Sequence, residues 1–70
     1  MKLVIEVYTN GKTTGKYLKA VTSKGIVLTS SVGYAKKYNN AESGLGKAMS
    51  DCDTITRLSN NISFGVLQPC

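Results

Sequence analysis

The sequence predicts an α+β fold: an antiparallel sheet of about five strands, elements in the order β-β-β-α-β-β, with the helix packed on one face. Three observations predict it. Apolar residues alternate with a period of two near both ends of the chain. Between Tyr34 and Cys52 the period changes to three and four. Glycine and asparagine sit between the periodic runs, where the chain must turn.

The first run, Lys2-Leu-Val-Ile-Glu-Val-Tyr-Thr9, is rich in β-branched and aromatic residues and reads as a strand. Leu3, Ile5 and Val7 share one face, and Val4, Glu6 and Tyr8 the other. Asn10-Gly11 is a hairpin signal, because both residues tolerate positive φ. Gly15 either ends that loop or sits at a bulge. Lys16 to Val21 reads as a second strand, Thr22-Ser-Lys-Gly25 as a turn, and Gly25-Ile-Val-Leu-Thr29 as a third strand.

Tyr34, Tyr38, Ala41, Leu45, Ala48, Met49 and Cys52 then define one face of a helix, with Ser30 or Ser31 available to cap its start. Asn39-Asn40 interrupts the pattern. Either one helix runs through it, or it divides the helix into a short turn and a longer helix, with Asn39 and Glu42 as a capping-box-like pair. Gly44 and Gly46 each weaken a helix by about 1 kcal/mol relative to alanine. Close approach to the sheet or to another chain is the expected compensation. After Asp53, Thr54 to Ser59 and Ile62 to Leu67 read as a second hairpin around Asn60-Asn61, with Ile62, Phe64 and Val66 facing the helix and Pro69 ending the strand.

Seventy residues make one small domain, 1-70, with marginal stability, so assembly into a homo-oligomer is a reasonable expectation. The apolar run Leu3-Val-Ile5 stops at Glu6, which is unlike a signal peptide, and no apolar stretch reaches membrane-spanning length. Two cysteines are too few for a disulfide framework, so the expected setting is the cytoplasm, with free thiols and no membrane.

Nine Lys and Arg against four Asp and Glu give a net charge of +5, which favours acidic partners, whether nucleic acid or protein. Arg57 is the only arginine. Lysine lacks the planar fork that reads base edges, so sequence-specific DNA recognition is disfavoured. The stretch Thr9-Asn-Gly-Lys-Thr-Thr-Gly-Lys-Tyr17 superficially resembles a phosphate-binding loop. Its glycines are too close together, Tyr17 stands where a Ser or Thr is needed, and a strand follows where a helix should open.

The chain has no histidine, hence neither the commonest general base nor the commonest transition-metal ligand. Cys52 reads as a small buried hydrophobe completing the helix face, and Cys70 as a free thiol. Asp51 and Asp53 read as a solvated helix end and the turn after it. No catalytic residue, metal site or cofactor is expected. The candidate binding residues are Tyr8 and Tyr17 with Lys12, Lys16 and Lys19 on the first hairpin, and Lys36, Lys37 and Lys47 along the helix. If the tyrosines share a face with Lys16 or Lys19, they form a basic stacking platform of the kind that binds single strands. Otherwise Tyr8 and Tyr17 are cross-strand aromatics on a solvated face, Tyr34 and Tyr38 pack in the core, and the helix lysines are a solvated face.

Tyr17-Leu18, Gly25, Leu28-Thr29-Ser30, Ala35-Lys-Lys-Tyr38 and Ala41 together resemble a pattern in small phage and prophage proteins. In those, a tyrosine-leading strand, a glycine turn and a strand ending in Thr or Ser precede an alanine-containing helix. The resemblance covers about the middle third of the chain and brings no catalytic residues. It implies action by binding: occluding a host or anti-phage defence protein, masking nucleic acid, or sequestering a signalling nucleotide. The positive charge departs from the acidic mimics of DNA. The expectation is therefore a non-enzymatic binding protein, an inhibitor of a host or defence protein. The alternative is a basic module for nucleic acid or an anionic nucleotide, using the first hairpin.

Overall fold

The computed structural model describes residues 2–70. Strand β1 (Lys2–Thr9) pairs antiparallel with β2 (Lys12–Thr22), and β2 with β3 (Gly25–Thr29). A 3₁₀ turn (Val32–Tyr34) follows. Lys36 N–H donates to the Leu18 carbonyl, so the chain returns alongside β2 and delivers the two-residue strand β4 (Tyr38–Asn39) to the start of β1. Helix α1 (Glu42–Leu58) crosses the sheet, and β5 (Ser63–Pro69) pairs antiparallel with β1 along nearly its whole length. The result is the expected α+β architecture, a five-stranded antiparallel sheet with one helix. The second half of the order differs, because a fourth strand precedes the helix and none lies between Thr54 and Ser59.

β1 is central. β5 lies along one side of it, while β4 and then β2 share the other. Leu3, Ile5 and Val7 form the core with Leu18, Tyr38, Ala48 and Ile55, and Ile26, Leu45, Cys52 and Leu67 pack around them. The expected division of β1 into two faces holds. Val4, on the face away from the helix, is also fully buried.

The Asn10-Gly11 hairpin forms as read, with φ of 55° and 78°. β2 begins earlier than expected, at Lys12, because Gly15 (φ 71°) sits in a bulge rather than ending the loop. There Val7 opposes Lys16 while Tyr8 opposes Thr13, and the Thr14 hydroxyl donates to the Val7 carbonyl. Lys19 marks a second irregularity in the β2–β3 pairing. Two such sites in one strand bend it strongly.

The helix corrects three expectations. The pattern does break at Asn39-Asn40, so the helix starts at Glu42 and not near Tyr34, and its N-cap is Ala41 with no side-chain hydrogen bond. Ser31 and Asn39 therefore do not cap it. The Tyr34–Tyr38 spacing comes from a 3₁₀ turn and a strand, leaving Tyr34 exposed and Tyr38 buried. The helix also runs through Thr54-Ile-Thr56. Leu45, Ala48, Cys52 and Ile55 keep stepping by three and four, and burial of Ile55 outweighs β propensity. The hydroxyls of Thr54 and Thr56 donate to carbonyls one turn back, and Arg57 pairs with Asp53 at 2.9 Å. Asn60-Asn61 is a turn, but one that ends a helix. Asn60 N–H donates to Arg57 O and Asn61 N–H to Thr56 O, with left-handed φ at both. This is a Schellman motif with asparagine in the glycine position.

On β5 the inward residues are Gly65 and Leu67, not Ile62, Phe64 and Val66. The register pairs Val7 with Gly65 and Ile5 with Leu67, so the core face of β1 decides the face of β5. Phe64 turns the other way and stacks on Tyr8 at 5.5 Å between ring centroids. A Cβ on Gly65 would lie 2.6 Å from Ile5 Cγ2 and 2.9 Å from Cys52 Sγ. Gly44 has the same role where the helix start meets β4: a Cβ there would lie 2.8 Å from Asn39 backbone atoms. Gly46 faces open space, so the compensation expected of both helix glycines exists only at Gly44.

The three glycines should separate in urea unfolding. Gly46→Ala raises stability by about 1 kcal/mol through helix propensity. Gly44→Ala and Gly65→Ala lower it by roughly 1–3 kcal/mol, because backbone or core must move. Equal effects at Gly44 and Gly46 would show that the close approach carries no weight.

Candidate functional site

Helix α1 packs on β5 and β4 and covers only part of its face of the sheet. The flank beside β3 is left open. There β1, the bent β2, the β2–β3 hairpin and the helix C-terminus wall a groove of about 340 Å³. Val7, Thr9 and Thr14 form one wall, Lys24, Gly25, Ile26 and Leu28 another, and Ile55, Leu58 and Ser59 the third. The lining is mainly apolar. Leu28 remains 37% exposed and Leu58 58%. The volume is that of a small-ligand pocket or of a few side chains from a partner.

The charge around it is one-sided. From Val7 to Ala41 the chain carries six lysines (12, 16, 19, 24, 36 and 37) and no acidic residue. Lys24 lines the groove. Lys12 opposes Thr9 and Lys16 opposes Val7, which places both on the groove face of the sheet. The carboxylates lie elsewhere. Glu6 opposes Tyr17 on the other face and accepts a hydrogen bond from Thr13. Asp51 and Asp53 are ion-paired with Lys36 and Arg57. Glu42 begins the helix.

The hairpin residues singled out from sequence therefore divide. Tyr8 and Tyr17 lie on the face opposite the helix, both half-buried, with Phe64 rather than a lysine against Tyr8. Lys12 and Lys16 lie on the helix face, and Lys19 sits at the bulge. The tyrosines and Lys16 are not brought to one surface.

The other three lysines do converge. Lys36, Lys37 and Lys47 line a cleft of about 180 Å³ with Tyr38, Asn39, Ser43 and Gly44. Two of their ammonium groups are held by the protein itself. Lys37 donates to the carbonyls of Val32, Gly33 and Ala35, which closes the 3₁₀ turn. Lys36 binds Asp51 at 3.1 Å and lies over the Tyr38 ring. Asp51 is not the solvated residue expected from sequence. It also accepts the Tyr38 hydroxyl, tying β4 to the middle of α1.

Two groups have displaced acidities, both upward. Burial, then the hydrogen bond and charge of Asp51, pushes Tyr38 well above the usual tyrosine range. Burial, then the Asp51 charge, raises the Cys52 thiol. Both shifts oppose ionisation, the reverse of what activates a nucleophile. Cys52 packs half-buried against the core and Cys70 is exposed, and both are free thiols. Among the described residues no helix is long and apolar enough to cross a membrane.

Sequence reading missed the groove. Its signals were present: an uninterrupted acid-free stretch, and a third strand, Ile26-Val-Leu28, that is apolar at every position. Strict alternation would have marked one wet face, whereas a continuous apolar run marks a strand with both faces covered by something. Among known proteins, no family model, no curated protein and no solved structure matches the chain.

The Tyr38–Asp51 contact makes a pH-dependent prediction. Tyr38→Phe should cost about 1 kcal/mol near neutral pH. A tyrosine whose folded-state pKa is raised stabilises the fold fully below its ordinary value of 10.0 and loses that contribution as pH rises above it. The stability gap between wild type and Tyr38→Phe should therefore narrow above about pH 10 in denaturant titrations. A gap unchanged by pH would show that Tyr38 titrates normally.

Proposed function

We propose that this protein is a non-enzymatic binding protein that occludes a surface of a larger protein. The observation that carries the reading is the incomplete cover of the sheet: one helix shields β4 and β5 and leaves an apolar groove beside β3. An exposed apolar surface rimmed by charge is what protein interfaces use. The resemblance to small phage proteins supplies the setting we propose, inhibition of a host or anti-phage defence protein inside the cell.

A second reading, capture of nucleic acid or an anionic nucleotide, draws support from the six lysines of the acid-free stretch. The separation of Tyr8 and Tyr17 from Lys12 and Lys16 weighs against it, because a stacking platform needs both on one surface.

The test uses photo-cross-linking side chains placed singly at Leu28 and at Met49, an exposed helix residue that does not line the groove. The Leu28 probe should trap one protein at fixed stoichiometry, and the Met49 probe should not. Leu28→Glu should weaken the purified complex at least tenfold, an effect of about 1.4 kcal/mol. Cross-links to nucleic acid from either probe, with binding that collapses as salt rises, would favour the second reading. The absence of any stoichiometric protein complex would overturn the first.

A further inference from the structure

We infer that the free edge of β3 takes up an extended, acidic segment of the partner protein as an added strand. The inference rests on the binding-protein reading and names its surface and the chemistry of its partner. β3 is the outermost strand on its side of the sheet. A strand with one neighbour turns alternate N–H and C=O groups outward, and these can pair with another chain. Proteins usually guard such an edge with lysine, proline or a bulge. Gly25-Ile-Val-Leu-Thr29 has no charge and no proline, and the irregularity in its hairpin is on β2, at Lys19. The opposite edge, β5, contains Pro69 and has α1 packed against it.

The side chains on this edge suit an added strand. Ile26 and Leu28 line the groove, while Val27, between them, belongs to the other face and is 41% exposed. An incoming strand would place alternate apolar residues over the groove, beside Ile26, Leu28 and Leu58. Backbone pairing would supply affinity and the groove would supply selectivity.

Charge selects the occupant. A second copy paired through its own β3 would set another lysine-bearing groove beside this one, with no carboxylate on either wall to offset the charge. An acidic segment meets complementary charge at Lys24, and at Lys12 and Lys16 on the same face. The fitting partner is therefore an extended stretch, about as long as β3, that is apolar along the groove and acidic at its ends, where one end lies beside Lys24.

The experiment is an amide NMR titration of the whole protein with four probes. One is a Glu-Val octapeptide, four valines flanked by two glutamates at each end, and one its Lys-Val counterpart. The third is a Glu-Pro octapeptide, the same sequence with proline for each valine, whose four central residues cannot donate ladder hydrogen bonds, and the fourth a single-stranded oligonucleotide. The Glu-Val peptide should shift resonances from Lys24 to Thr29 and along the groove, and should slow hydrogen exchange at alternate β3 amides. Lys24→Glu, a change in an exposed turn that leaves the core intact, should weaken it at least fivefold, and so should Leu28→Glu. The Lys-Val and Glu-Pro peptides should leave β3 unchanged.

No response to the Glu-Val peptide at millimolar concentration would overturn the inference. So would equal binding of the Glu-Pro peptide, or a stronger response of the same residues to the oligonucleotide. A response confined to Tyr8, Tyr17 and Phe64 would overturn the edge site while leaving the binding-protein reading intact. That reading fails separately, by the absence of a cross-linked complex.

Discussion

Strand β1 is hydrogen-bonded along both sides, and its three inward side chains form the floor on which the helix rests. The rest of the molecule is arranged around that contact. Ile5 meets the helix where Gly65, on the neighbouring strand, has no side chain, so helix and sheet approach closely there. The pairing of Val7 with Gly65 and of Ile5 with Leu67 then fixes the face of every residue on β5. The same arrangement confines the helix to the β4–β1–β5 half, held at its start by Gly44 against Asn39 and at its middle by Asp51 on Tyr38.

Much of this was legible in the sequence, and what was not fails for identifiable reasons. Alternation on Lys2–Thr9, the Asn-Gly turn and the third strand are local properties, read correctly from local residues. The fold class follows from them and from one helical period. The end of the helix was misread because Thr54, Ile55 and Thr56 are β-branched and Asn60-Asn61 is a turn signal in either context. Only Ile55, which continues the spacing of Leu45, Ala48 and Cys52, distinguishes the two, and its weight comes from burial against distant β1. The face of β5 was misread for the same kind of reason: Phe64 has the larger apolar surface, but register with β1 outranks it.

The candidate site was less legible. The individual lysines were visible, but the distribution that gives them meaning depends on register. A bulge at Gly15 places Lys16 opposite Val7, which separates it from Tyr17. The carboxylates Asp51 and Asp53 are on the helix and ion-paired there, and none lines the groove that the helix leaves open, where Lys24 sits. A protein of this size has little surface to spare, and an uncovered apolar flank is a cost to its stability that binding can offset.

The strand order also shapes how the chain reaches this state. β1 is made well before β5, with which it has its longest pairing, and the closing contact of Thr9 with Ser63 spans 54 residues. During synthesis on a ribosome the β1–β2 hairpin can form early, but one side of β1 stays open until β5 emerges. High contact order of this kind slows folding and exposes Val4 and Ile5 to wrong partners meanwhile. The lysines of the hairpin, repelling one another and other nascent copies, would then limit aggregation during that wait. Positive charge would in this way protect the chain before it has folded as well as select its partner afterwards.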